Sequence, residues 1–154
     1  PRSPTTEPTM TDPTREAAID QLNSFLRGEL SAVETYDQVL RKAEDLHVQA
    51  VLQGNRGSHA SRAQLLGSEI LRLGGKPAES SGAWGALARA VEGGAKVFGV
   101  SAAVAVLEEG EDRGLDDYRD LDAVPLDVRE FVSSRLLPEQ RRTHDAISTL
   151  KRAM

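Results

Sequence analysis

The stretch LNSFLRGELSAVETYDQVLRKA, residues 22–43, decides how the chain folds. Leu22, Leu26, Glu29, Val33, Tyr36, Leu40 and Ala43 recur at alternating steps of four and three, the spacing that lines up side chains along one face of a helix. A strand would need period two, and this stretch lacks it. Upstream, Asp12-Pro13-Thr14 supplies the chemistry of a helix start, and Glu16 favours the positive end of the helix dipole. Glu29 is the odd member of the row: a carboxylate on a face made to be buried must find a partner.

The same pattern extends outward. A second helix is expected from about Leu46 to Leu73, with Leu52, His59, Leu66 and Leu73 seven apart and Ala63 and Ile70 between them. It stops at Gly74-Gly75-Lys76-Pro77, where a glycine suits a left-handed cap and proline prevents continuation. A third is expected over Val100–Asp122, with the row Val100, Val104, Leu107, Glu111, Gly114, Tyr118 and Leu121. The fourth begins after Pro125 and carries Val128, Phe131, Val132, Leu136, Ile147 and Leu150. Pro138 lies inside it and predicts a kink or break near Leu137. Between the second and third helices, a loop over 74–82 leads to a short amphipathic helix around Trp84, Leu87, Ala88 and Val91. The first thirteen residues hold four prolines and four threonines and little to bury, which predicts a disordered tail over 1–13 before a folded unit over 14–154. The expected fold class is all-α: four long helices in a bundle with one long crossover.

Composition narrows the function classes. There is no cysteine, which excludes disulfides, thiolate metal sites and cysteine nucleophiles. Nineteen basic against twenty-four acidic residues leave a net charge of −5, so nucleic acid is not an expected partner. No apolar run is long enough to span a membrane, and no charged-then-apolar leader is seen, so the expected location is cytoplasmic. Gly74-Gly75-Lys76 lacks the spacing of a phosphate loop, and Ser58 beside His59 on a helix cannot serve as a nucleophile–base pair unaided.

The two halves echo each other. Gly28-Glu29 is followed seven residues after the glutamate by Tyr36, and Gly110-Glu111 at the same distance by Tyr118. The following helices carry Ser58-His59 and Thr143-His144, each histidine with an arginine three residues before it, Arg56 and Arg141. Two matching helical hairpins imply a pseudo-two-fold bundle. The segment LRGELSAVETYDQVL, the helix end SEILRLGG and the helix EEGEDRGLDDYRDL resemble the ferritin-like superfamily, and within it an uncharacterised bacterial family of four-helix-bundle proteins, over roughly residues 16–152.

That resemblance implies a di-metal site with a Glu on each of two helices and a Glu-x-x-His on each of the other two. Glu29 and Glu111 match the lone glutamates, and His59 and His144 the histidines, a set suited to Fe, Mn or Zn. The bridging glutamates do not match, for Arg56 and Arg141 stand there, and arginine cannot ligate a metal. Anchoring the second helix on its Leu-Gly-Gly end shifts the register by three, placing His59 at the glutamate position and Arg62 at the histidine position. Two readings follow. In the first, Glu29, Glu111, His59 and His144 form an ion-paired polar core with Arg56, Arg62 or Arg141. No cofactor is then bound, and the protein is a non-enzymatic stress-related or accessory protein acting through binding or self-association, for example as a dimer. In the second, the same two glutamates and two histidines hold metal.

Overall fold

The computed structural model describes residues 12–82, 99–122 and 124–154. The expected short helix around Trp84 lies outside these residues, as does the tail apart from Asp12 and Pro13. Those two open the first helix, α1 (Asp12–Lys42), two residues earlier than the sequence pattern indicates. The other elements are α2 (Leu46–Arg72), α3 (Val100–Arg119), α4 (Leu126–Phe131) and α5 (Leu137–Ala153). A π-helical turn, Val132–Leu136, joins α4 to α5 without a break, so they form one arm. The fold is all-helical, with no strand among the described residues, and no described helix is long and apolar enough to cross a membrane.

Local chemistry explains the ends. Asp45 caps α2 by accepting the Val48 N–H at 3.0 Å. At the other end, Gly74 takes φ +84°, its N–H bonds Leu71 O, and the Gly75 N–H bonds Ile70 O, the paired closure that a left-handed glycine permits. A β-carbon at Gly75 would lie 2.6 Å from Ile19 Cγ2, so α1 packs directly on that turn. The expected disturbance at Pro138 takes the form of the π-turn. The Leu137 N–H reaches back five residues to Val132 O, and the widened turn accommodates a proline that has no N–H to give.

α1 packs chiefly on α2, and α3 on α5; α1 also meets α3, and α2 meets α5, closing a ring of four arms. The buried row of α1 follows the expected face through Leu22, Leu26, Glu29, Tyr36 and Ala43. Val39 is buried where Leu40 was expected, and Val33 and Leu40 lie on its flank. The interior is not one apolar core. One cluster gathers Leu22, Leu26, Leu66, Ile70, Tyr118, Val128 and Val132; the other gathers Val39, Leu52, Val104, Leu107, Ile147 and Leu150. Between them, every arm turns polar.

Candidate functional site: a buried polar layer

Following each inward row through the middle of the molecule gives Glu29 on α1, Asn55, His59 and Arg62 on α2, Glu111 on α3, and Gln140 and Thr143 on α5. All are buried. Arg62 is 1% exposed, Glu111 2%, and Glu29 and His59 4% each, so none of these charges is neutralised by solvent.

His59 lies at the centre. Its Nδ1 is 2.5 Å from Glu29 Oε2 and its Nε2 2.7 Å from Glu111 Oε1. Carboxylates only accept, so both ring nitrogens must donate and the ring is an imidazolium. Burial pushes the His59 pKa down, but Glu29 and Glu111 and their hydrogen bonds outweigh it and hold it above its ordinary 6.5. For Glu29, burial pushes upward while His59, Arg62 and the hydrogen bonds from His59 and Tyr118 bring the carboxyl below its ordinary range. Glu111 is likewise pushed up by burial and held low by His59, with help from Tyr36 and Arg62.

Arg62 is the second cation. Its Nη1 lies 3.4 Å from Glu29 Oε1 and also donates to Gln140 Oε1; Nη2 donates to Thr143 Oγ1 at 3.1 Å. Gln140 Nε2 donates to Glu111 Oε2 at 2.7 Å and to the Glu111 carbonyl at 2.9 Å, and Thr143 Oγ1 donates to Glu111 Oε2 at 2.8 Å. Gly114 makes room for this. A β-carbon there would come within 2.6 Å of Gln140 Nε2.

The tyrosines cross between the halves. Tyr36 donates to Glu111 at 2.7 Å, and Tyr118 donates to Glu29, so each phenol bonds the glutamate of the other hairpin. Burial and the adjacent carboxylate push both phenols well above their ordinary 10.0. Asn55 Nδ2 donates to the Tyr36 hydroxyl at 3.0 Å and to the Thr143 carbonyl at 2.9 Å.

Of the residues singled out in the sequence, the structure brings together Glu29, His59, Arg62 and Glu111. It does not bring in the other three. Arg56 pairs with Asp37 at 2.9 Å, both partly exposed. Arg141 is exposed on α5. His144 points away from the layer to Asp112, 2.5 Å from Nε2; burial lowers its pKa, but Asp112 and Asp145 leave it raised overall. The residue facing inward is its neighbour Thr143. Ser58 donates to Glu139 at 2.7 Å, and hydrogen bonds from Arg142 and Ser58 lower the Glu139 carboxyl to about 2. Asn55, Gln140 and Thr143 are layer members that the sequence reading missed. The signal is the continued step of three and four from Leu52 through 55 to His59, and of four and three from Leu136 through 140 and 143 to Ile147.

Glu29, Glu111 and His59 are of metal-ligating type, yet both nitrogens of His59 are engaged by the carboxylates and Arg62 occupies the space beside Glu29. Among the described residues no group of three or more His, Asp or Glu side chains is disposed to hold a metal ion. The sequence profile of a family described as a domain of unknown function, DUF2383, matches residues 17–122, which take in α1 from Ala17 onward, α2 and α3 and stop short of α4 and α5. No curated protein and no solved structure matches the chain.

Proposed function

The chain belongs to the DUF2383 family, and we propose that it is a ferritin-like four-helix bundle whose di-metal site has become a metal-free, ion-paired layer. The layout supports the resemblance. One glutamate stands on each of α1 and α3, and a pair spaced by three on each of the other arms: His59 with Arg62, and Gln140 with Thr143. The donor types differ from those of a Glu-x-x-His pair, and they do not fit two metal ions.

One observation carries the metal-free reading. His59 donates through both nitrogens to the two glutamates, with Arg62 beside Glu29. Two negative and two positive charges sum to zero, so the layer's own cations stand where metal charge would otherwise be needed. Such a layer fixes helix register and pairing rather than performing chemistry. The protein then acts as a cytoplasmic, non-catalytic accessory protein through binding or self-association. The bonding of Ser58 to Glu139 rather than to an imidazole agrees with a non-catalytic role.

Metal analysis tests this. Protein purified without added metal should carry well under one equivalent of iron, manganese or zinc, and its urea unfolding should not respond to chelator. Near-stoichiometric metal that is lost in Glu29→Ala or Glu111→Ala would overturn the reading in favour of a metal protein. Sedimentation of the same sample tests self-association.

A further inference from the structure

α1 and α3 leave a part-open cavity of about 70 Å³ between them, with the polar layer as its floor. We propose that this slot is a binding site for a small neutral molecule of the short-chain alcohol type. The proposal rests on the metal-free reading of the layer.

The floor decides the charge of the ligand. Glu111 Oε1 is taken by Tyr36 and His59, and Oε2 by Gln140 and Thr143; Glu29 Oε1 is taken by Tyr118 and Arg62, and Oε2 by His59. Arg113 and Asp117, which also line the slot, offset each other's charge, so an entering ion would meet no unfilled counter-charge and would lose its hydration. The walls contributed by Phe25, Ala32 and Leu107 suit an apolar body.

Within the layer, one polar feature remains to orient it. The Tyr36 hydroxyl both donates, to Glu111, and accepts, from Asn55. The Tyr118 hydroxyl donates to Glu29 and receives no donor among the described residues. The steps 55, 59, 62 on α2 match 136, 140, 143 along the π-turn and α5, so Leu136 stands where Asn55 does and cannot donate. Tyr118 therefore offers one acceptor to a hydroxyl in the slot. At roughly 10–15 Å³ per water position, the cavity takes about five non-hydrogen atoms.

Gly28 supplies an independent observation. It lies inside the 31-residue α1, where glycine is less stable than alanine, yet a β-carbon there would meet nothing within 4 Å. Gly54 and Gly57 are equally open, but they are exposed on the surface of α2, whereas Gly28 lines the slot. Among the described residues no packing contact requires this glycine, and a large side chain there would project into the cavity.

Titration of the full chain with 1-butanol, followed by backbone amide shifts, tests the site. Saturable shifts are expected at Gly28, Ala32 and Gly114, with half-saturation on the order of millimolar for so few atoms. Diethyl ether, with the same number of non-hydrogen atoms and no donor, should bind about fivefold more weakly. Gly28→Leu should remove saturation while keeping the helical circular dichroism; should it not fold, Ala32→Leu makes the same test. Absence of saturable shifts, undiminished binding in the filled variant, or equal binding of ether and butanol would overturn the proposal. Metal content of the same sample tests the layer reading separately.

Discussion

The two hairpins, α1–α2 and α3–α5, place a glutamate and a tyrosine at the same seven-residue interval, yet they stock the middle of the molecule differently. In the first, α2 contributes two cations, His59 and Arg62, against the single charge of Glu29. In the second, α5 contributes neutral Gln140 and Thr143 beside Glu111. The first half thus carries a surplus of one positive charge into the interior, and the second a surplus of one negative. Neither hairpin is electrically complete alone. Docking them closes the balance through His59–Glu111, and the crossed tyrosine bonds tie each half to the other. Similar helical halves can therefore be held in one arrangement by a difference in charge rather than by a difference in shape.

The comparison breaks most severely if the first hairpin loses its surplus. Arg62→Met should leave two buried carboxylates facing one imidazolium and cost ~3–5 kcal/mol, measured by urea unfolding. Adding Glu29→Gln to that variant should recover part of the loss; a purely additive double variant would show that Arg62 and Glu29 are not coupled.

The tyrosines sharpen the comparison. Tyr36→Phe removes a donor to Glu111 and strands one Asn55 N–H, whereas Tyr118→Phe removes only a donor to Glu29. Each should cost ~1–3 kcal/mol, with the Tyr36 variant the more costly. The reverse order in thermal unfolding would mean that the halves are not distinguished in this way.

Stability should also depend on pH in a set direction. His59 is held above 6.5 in the folded chain, so its contribution is complete below 6.5 and is lost as pH rises through the raised value. Glu29 and Glu111 are held below 4.5, so theirs is present above 4.5 and is lost as pH falls through the lowered values. The layer therefore contributes most between 4.5 and 6.5. His59→Gln should flatten the alkaline side of the stability profile, and an unchanged alkaline side would remove His59 from the charge balance. His144 should matter least. It is partly exposed and pairs with an exposed Asp112, so His144→Gln should change unfolding by ~1 kcal/mol or less.

Much of this arrangement is legible in the sequence because a charge on an apolar row stands out. Glu29, Glu111 and His59 declare themselves that way. Arg62 emerges from only one of two helix registers, and packing of α2 decides between it and Arg56. Gln140 and Thr143 are harder to see, since an uncharged polar residue at an inward position looks like any surface residue until its neighbours are known. His144 misleads because Thr143-His144 mirrors Ser58-His59 in sequence. In this arm the large apolar side chains Leu136, Ile147 and Leu150 set the rotation, and they turn the threonine inward instead. The crossing of the tyrosines is invisible in one dimension, because it depends on how the hairpins dock.

The π-turn has a bearing on chain length. The inward positions Val128, Val132, Leu136 and Gln140 are spaced four, four and four, which on a regular helix would wander about 120° around the axis. The wide turn over Val132–Leu136 takes up one surplus residue, so Gln140 still reaches Glu111. This arm therefore accommodates one residue more than a regular helix would. Ser133, Ser134 and Arg135 are all exposed, and removing one of them, with Pro138 replaced by alanine, would leave inward steps of four and three throughout. A single-residue difference in length could thus come and go beside the layer without displacing any of its side chains.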